Sequence, residues 1–113
     1  MAKIEITRSL LEEIKKKFKA ESHNVIDLIE SLEISPHKGK IVGQVGGIVV
    51  KEIRYNAYRF YFITDGYKLK LLKKGELVDL LIKFVRMSDK KDQQKIIDEI
   101  KYILRVFGEE KFE

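Results

Sequence analysis

The sequence predicts an α+β fold, and three observations lead there. Two stretches before residue 33 carry apolar residues at helical spacing, the middle of the chain is dense in aromatic and β-branched residues punctuated by turn signals, and the last third returns to helical spacing. The expected architecture is two N-terminal helices packed on a twisted antiparallel sheet, closed by a C-terminal helix or helices. At 113 residues the chain has material for one core, so residues 1–113 are read as a single domain.

Lys3-Ile-Glu-Ile-Thr7 alternates polar and apolar and reads as a short strand. Ser9 and Glu12 have capping-box spacing, and Leu10, Leu11, Ile14 and Phe18 then recur at helical intervals, giving a helix over about 10–20. Ser22 or Asn24 opens a second helix through Val25, Ile26, Leu28, Ile29 and Leu32, stopped by Ser35-Pro36. The glycines of His37–Gly47, HKGKIVGQVGG, predict a loop entering a sheet.

Asn56-Ala57 and Asp65-Gly66 then separate runs of β-formers, and Asp-Gly is a type I′ hairpin signal, so a meander over about 47–55, 58–64 and 67–73 is expected. With two-residue loops the side-chain period of two sets the register. Ile53 faces Phe60, Lys51 faces Phe62, Phe62 faces Leu69 and Phe60 faces Leu71, a core face. The other face sets Arg54 across from Arg59, Glu52 across from Tyr61, Tyr61 across from Lys70, and Ile63 across from Lys68. This basic face is expected to stay open.

Leu77, Val78, Leu80, Leu81, Phe84 and Val85 are read as a helix, a strand starting at Leu77 being the alternative. Asp89 and Asp92 open a last helix with an apolar stripe of Ile96, Ile97, Ile100, Ile103, Leu104 and Phe107, and Gly108 stops it.

Composition narrows the function. Lys+Arg 23 against Asp+Glu 18 leaves a net charge of +5, which favours acidic partners or polyanions such as nucleic acid. With no cysteine there are no disulfides, thiolate metal sites or cysteine nucleophiles, which suits a reducing cytoplasm. No apolar run approaches the roughly 20 residues that cross a bilayer, and MAKIEITRS lacks a signal-peptide core. His23 and His37 are the only histidines and no metal-ligand spacing occurs, so neither a metal nor a cofactor is expected. His37 is read as a loop residue, with proton transfer as the alternative.

The paired arginines are the unusual feature. Like charges directly across a strand pair repel, so something offsets them: a phosphate held by two guanidinium forks, or Glu52 on the same face. Lys68, Lys70 and Tyr61 on that face would grip RNA by charge and stacking.

Glu52-Ile-Arg54 and Tyr58-Arg59-Phe-Tyr-Phe62 on adjacent strands, after two helices and before a C-terminal helix, resemble the RelE/ParE superfamily of toxin–antitoxin toxins, particularly its phage-type and HigB-like branches. The resemblance covers residues 1–105 in outline and implies a RelE-like fold. It implies a ribosome-dependent endoribonuclease that cuts messenger RNA without a metal, in which Arg59 contacts the scissile phosphate and Arg54 stands for the arginine of the family's E-L-R. It also implies the ribosome with its mRNA, and an antitoxin protein, as partners. Other members of the superfamily inhibit DNA gyrase.

The sequence departs from the family's pattern. Val50 and Glu52 stand where some of these ribonucleases have strand lysines, and Lys51 points to the opposite face. The family's basic segment after the last strand is either interrupted by Lys73–Glu76 or displaced to Leu80–Arg86. Arg86, Lys83 and Tyr102 are the candidates for the missing acid, base and RNA contact. The rival reading is a non-catalytic descendant that binds nucleic acid or protein, distinguished by the absence of an acid and a base near Arg59. A third is a structural adaptor whose arginines pair with Glu52 and a partner's carboxylates.

Overall fold

The computed structural model describes residues 2–113. In chain order the elements are β1 (Ala2–Ile6), α1 (Arg8–Phe18), α2 (Ser22–Glu30), β2 (Lys40–Val45), β3 (Ile48–Tyr55), β4 (Tyr58–Asp65), α3 (Gly66–Lys73), β5 (Leu80–Asp89) and α4 (Gln93–Val106). The fold is α+β, built around one five-stranded sheet of order β1-β5-β4-β3-β2. The sheet is mixed: β1 runs parallel to β5, and the other neighbours are antiparallel.

The N-terminal third follows the expected pattern with both helix caps changed. Thr7, not Ser9, sits at the start of α1, where its hydroxyl accepts from the Leu10 amide. Ser9 is inside the helix and bonds the Glu113 carbonyl instead. Neither Ser22 nor Asn24 caps α2, which follows a short 3-10 turn directly. Leu10, Ile14, Val25, Ile29 and Leu32 pack on Ile53, Phe60, Phe62, Leu80, Ile82, Phe84 and Met87 of the sheet.

The first hairpin has the expected register: Arg54 pairs with Arg59, Glu52 with Tyr61, Ile53 with Phe60 and Lys51 with Phe62. Asn56 takes the left-handed conformation, φ 54°, that this two-residue turn requires.

The second hairpin does not exist. Asp65 accepts from the Lys68 amide at 3.0 Å and caps α3, so Tyr67–Lys73 is a helix built of good helix formers. Gly66 is fitted to this switch: a Cβ there would lie 2.9 Å from Val49 Cγ2 and 3.2 Å from the Gly47 carbonyl.

The stretch from Leu77 to Val85, read as a helix from its spacing, falls largely in β5, the strand beside β4, which runs on to Asp89 and pairs Phe60 with Met87 and Tyr61 with Arg86. Helices cover both faces of the sheet, so β5 is a near-continuous apolar run whose periodicity resembles that of a buried helix. A register shift at Tyr61/Phe62 places Val85 as the extra residue and turns it towards α4.

The face expected to be open is covered. The stripe Ile97, Ile100 and Leu104 of α4, joined by Phe112, packs on Val50, Tyr61, Ile63 and Val85 and makes a second core. Gly108, φ 84°, ends α4, its amide donating to the Ile103 carbonyl. Among the described residues no helix is long and apolar enough to cross a membrane.

Candidate functional site

β3 and β4 bring Arg54, Arg59 and Glu52 together at the end of the sheet nearest the Asn56-Ala57 turn. Glu52 Oε2 lies 3.7 Å from the Nε of Arg54 and 3.7 Å from the Nε of Arg59. One carboxylate therefore bridges the two like charges and offsets their repulsion. The two ion pairs differ in setting: Arg54 has 63% of its side chain exposed and Arg59 only 6%. The Nε of Arg59 is buried without a hydrogen bond, and its Nη1 reaches the Ala57 carbonyl at 3.5 Å. Among the described residues that Nε is the one buried side-chain nitrogen or oxygen left without a hydrogen bond.

The other residues expected at this site are scattered. Tyr61 is fully buried under α4, and its hydroxyl is 2.8 Å from Ser88 Oγ, so no base stacks on it. Burial raises its pKa, against the lowering effect of the Ser88 hydrogen bond. Lys68 and Lys70 are not on the sheet at all but project from α3. Arg86 lies across from Tyr61 on β5, is held by Glu99 at 3.4 Å, donates to the Val85 carbonyl and stacks over the Phe112 ring. Lys83 shares a shallow cavity with Lys68, Glu109 and Glu110. Tyr102 is exposed on α4 and touches Phe107 edge to face.

Neither histidine approaches Arg59. His23, on α2, bonds the Ala20 carbonyl of the preceding 3-10 turn, and the His37 carbonyl, in the loop before β2, accepts from Lys51. Among the described residues, the side chain that Arg59 engages is Glu52, and the remaining contact is a backbone carbonyl. Exposed cations instead rim this end of the sheet. Lys40 stands opposite Glu52 in the backbone register of β2 and β3, and Lys38, Lys40, Glu52 and Arg54 line one open depression. Among the described residues, no group of three or more His, Asp or Glu has metal-binding geometry.

Sequence reasoning missed Lys51. It is 4% exposed on the core side of β3, with Nζ donating to the His37 carbonyl at 3.0 Å and lying 5.8 Å from the Phe62 ring centre. The strand alternation already placed it beside Val49 and Ile53, and a lysine in an apolar row was the signal.

Comparison with protein-family models, curated proteins and solved structures finds no match to this chain.

Proposed function

We propose that this chain is a non-catalytic, RNA-binding module of RelE-like type, in which Arg54 with Lys38 and Lys40 contacts the phosphate backbone. The observation that carries this reading is the composition of the arginine cluster. Among the described residues Glu52 is the side chain paired with both Arg54 and Arg59, and this single carboxylate, already shared by two guanidinium groups, does not supply both an acid and a base. General acid–base cleavage of a phosphodiester needs such groups within hydrogen-bond reach, whereas binding needs only cations with an open side. Arg54 has that open side. Arg59 and Glu52 act as the buried brace that orients it.

Fluorescence anisotropy with a labelled single-stranded RNA, across a salt series, tests the reading. Arg54→Ala is expected to weaken binding and to reduce the slope of log K against log salt by about 0.7, the share of one phosphate contact on a single strand. An unchanged affinity and slope would sink the proposal.

The ribosome-dependent endoribonuclease is the second reading. It is favoured by Arg86 lying across from Tyr61, one strand from Arg59, which makes a third cation on the same sheet face. Induced expression of wild type beside Arg59→Ala separates the two: growth arrest with cut transcripts, abolished in the variant, selects the enzyme. In either reading an antitoxin-like partner would carry an acidic segment onto Lys38, Lys40 and Arg54.

A further inference from the structure

On the opposite side of β3 from the arginine cluster is a cleft of about 680 Å³. Its floor is Val49 and Lys51 of β3, one wall is β2, the other is α3, and the loop at His37 closes one end. The volume is in the range of small-molecule sites.

The charged residues lining the cleft are all of one sign. Lys51, Lys70 and Lys73 face it together with His37, and among the described residues no Asp or Glu lines it. Lys51 is the residue that needs explaining. The residue is 4% exposed, and of the three donors on its ammonium one goes to the His37 carbonyl. The Phe62 ring supplies a weak further attraction. Among the described residues Lys51 joins no ion pair. A buried charge without a counter-ion is costly, and the cleft gives a counter-ion direct access to it. Burial, and secondarily the nearby Lys73 ammonium, lower the pKa of Lys51, the response of a cation short of compensation.

The remaining lining sets the ligand's shape. Ile41, Val49 and Leu69 are apolar, and the exposed ring of Tyr67 stands at the rim. Such walls exclude a free inorganic ion as the best occupant and suit a compact apolar or aromatic body behind the anionic head.

We propose that the cleft between β2, β3 and α3 binds a small organic anion, a phosphate monoester or a carboxylate with an apolar or aromatic body, whose charged head is held by Lys51 Nζ and guarded by Lys70 and Lys73. This site is independent of the RNA reading, since it lies on the other face of the sheet.

Phenyl phosphate, benzoate and inorganic phosphate, titrated into the ¹³C,¹⁵N-labelled protein and followed by NMR, test it. Phenyl phosphate or benzoate is expected to bind saturably, to shift the Lys51 Cε signal and the amides of β2 and α3, and to bind more tightly than inorganic phosphate. The tighter of the two identifies the head group. Lys51→Met is expected to weaken binding by about tenfold or more, the loss of one buried charge-assisted contact. If that variant does not fold, Lys70→Glu with Lys73→Glu, both at exposed helix positions, replaces it and is expected to weaken binding as well. Absence of a saturable shift at Lys51 in the wild type, or full affinity in a folded variant, overturns the proposal.

Discussion

Lys51 and Glu52 are neighbours in β3, equally buried, and stand in opposite electrical situations. Glu52 faces α4 and is compensated by two guanidinium groups. Lys51 faces the α3 side with a carbonyl and an aromatic ring. The difference separates the two faces electrically. A charge compensated within the chain holds the chain together, and a charge left uncompensated at the floor of a cleft is available to something else.

The largest effect is expected where the compensated charge is broken. Glu52→Gln leaves Arg59 buried without a counter-ion and is expected to cost about 3 kcal/mol in urea unfolding. A loss below about 1 kcal/mol would mean that the bridging carboxylate is incidental.

Lys51→Met is the matching change on the other face, and its sign should be reversed. Removing an uncompensated buried charge is expected to leave stability equal or raise it by about 1 kcal/mol, against the lost bond to the His37 carbonyl. It should also remove a pH dependence. With its folded-state pKa below the ordinary lysine value, Lys51 binds fewer protons in the folded state between those two values, so stability rises with pH through that alkaline window. The variant should flatten that rise in pH-dependent chemical denaturation.

Tyr61 gives the opposite slope. Its raised pKa means that the folded state keeps its proton above the ordinary tyrosine value, so stability falls as pH climbs beyond it. Tyr61→Phe is expected to remove that fall, and near neutral pH to cost about 1 kcal/mol for the hydrogen bond to Ser88. Asp65→Ala, removing the cap of α3, is expected to cost about 1 kcal/mol and to raise amide exchange in Gly66–Lys73 first. Smallest is Arg54→Ala, under about 0.5 kcal/mol, because a mostly exposed ion pair contributes little. Its effect should appear in binding and not in unfolding.

Much of this comparison was legible before the structure. The two-residue turn at Asn56-Ala57 and the strand period set every pairing between β3 and β4, so the juxtaposition of Arg54, Arg59 and Glu52 followed from local rules. What failed required knowledge of the far side of the sheet. Asp65-Gly66 serves equally as a hairpin turn or as a helix cap, and only the presence of β5 beside β4 decides between them. β5 itself was obscured because it is covered on both faces. The sequence pattern alone leaves Tyr61 open to RNA, because it does not say which face of the sheet α4 covers. Its apolar stripe instead needed a face of its own, and Val50, Ile63 and Val85 supplied one.

The parallel pairing of β1 with β5 joins Ala2 to Leu80 and Ile6 to Phe84, the first described segment of the chain to a strand that follows the four others. During synthesis β1 emerges early and has no partner until β5 has been made, so that edge of the sheet is completed late. Closing so long a loop slows folding, and the waiting strand exposes unpaired backbone and Ile4 and Ile6 in the meantime. The β2–β3–β4 hairpins close locally and fast. A chain stalled before residue 80 therefore carries three helices and a hairpin sheet with one raw edge, the state most exposed to aggregation and to proteolysis.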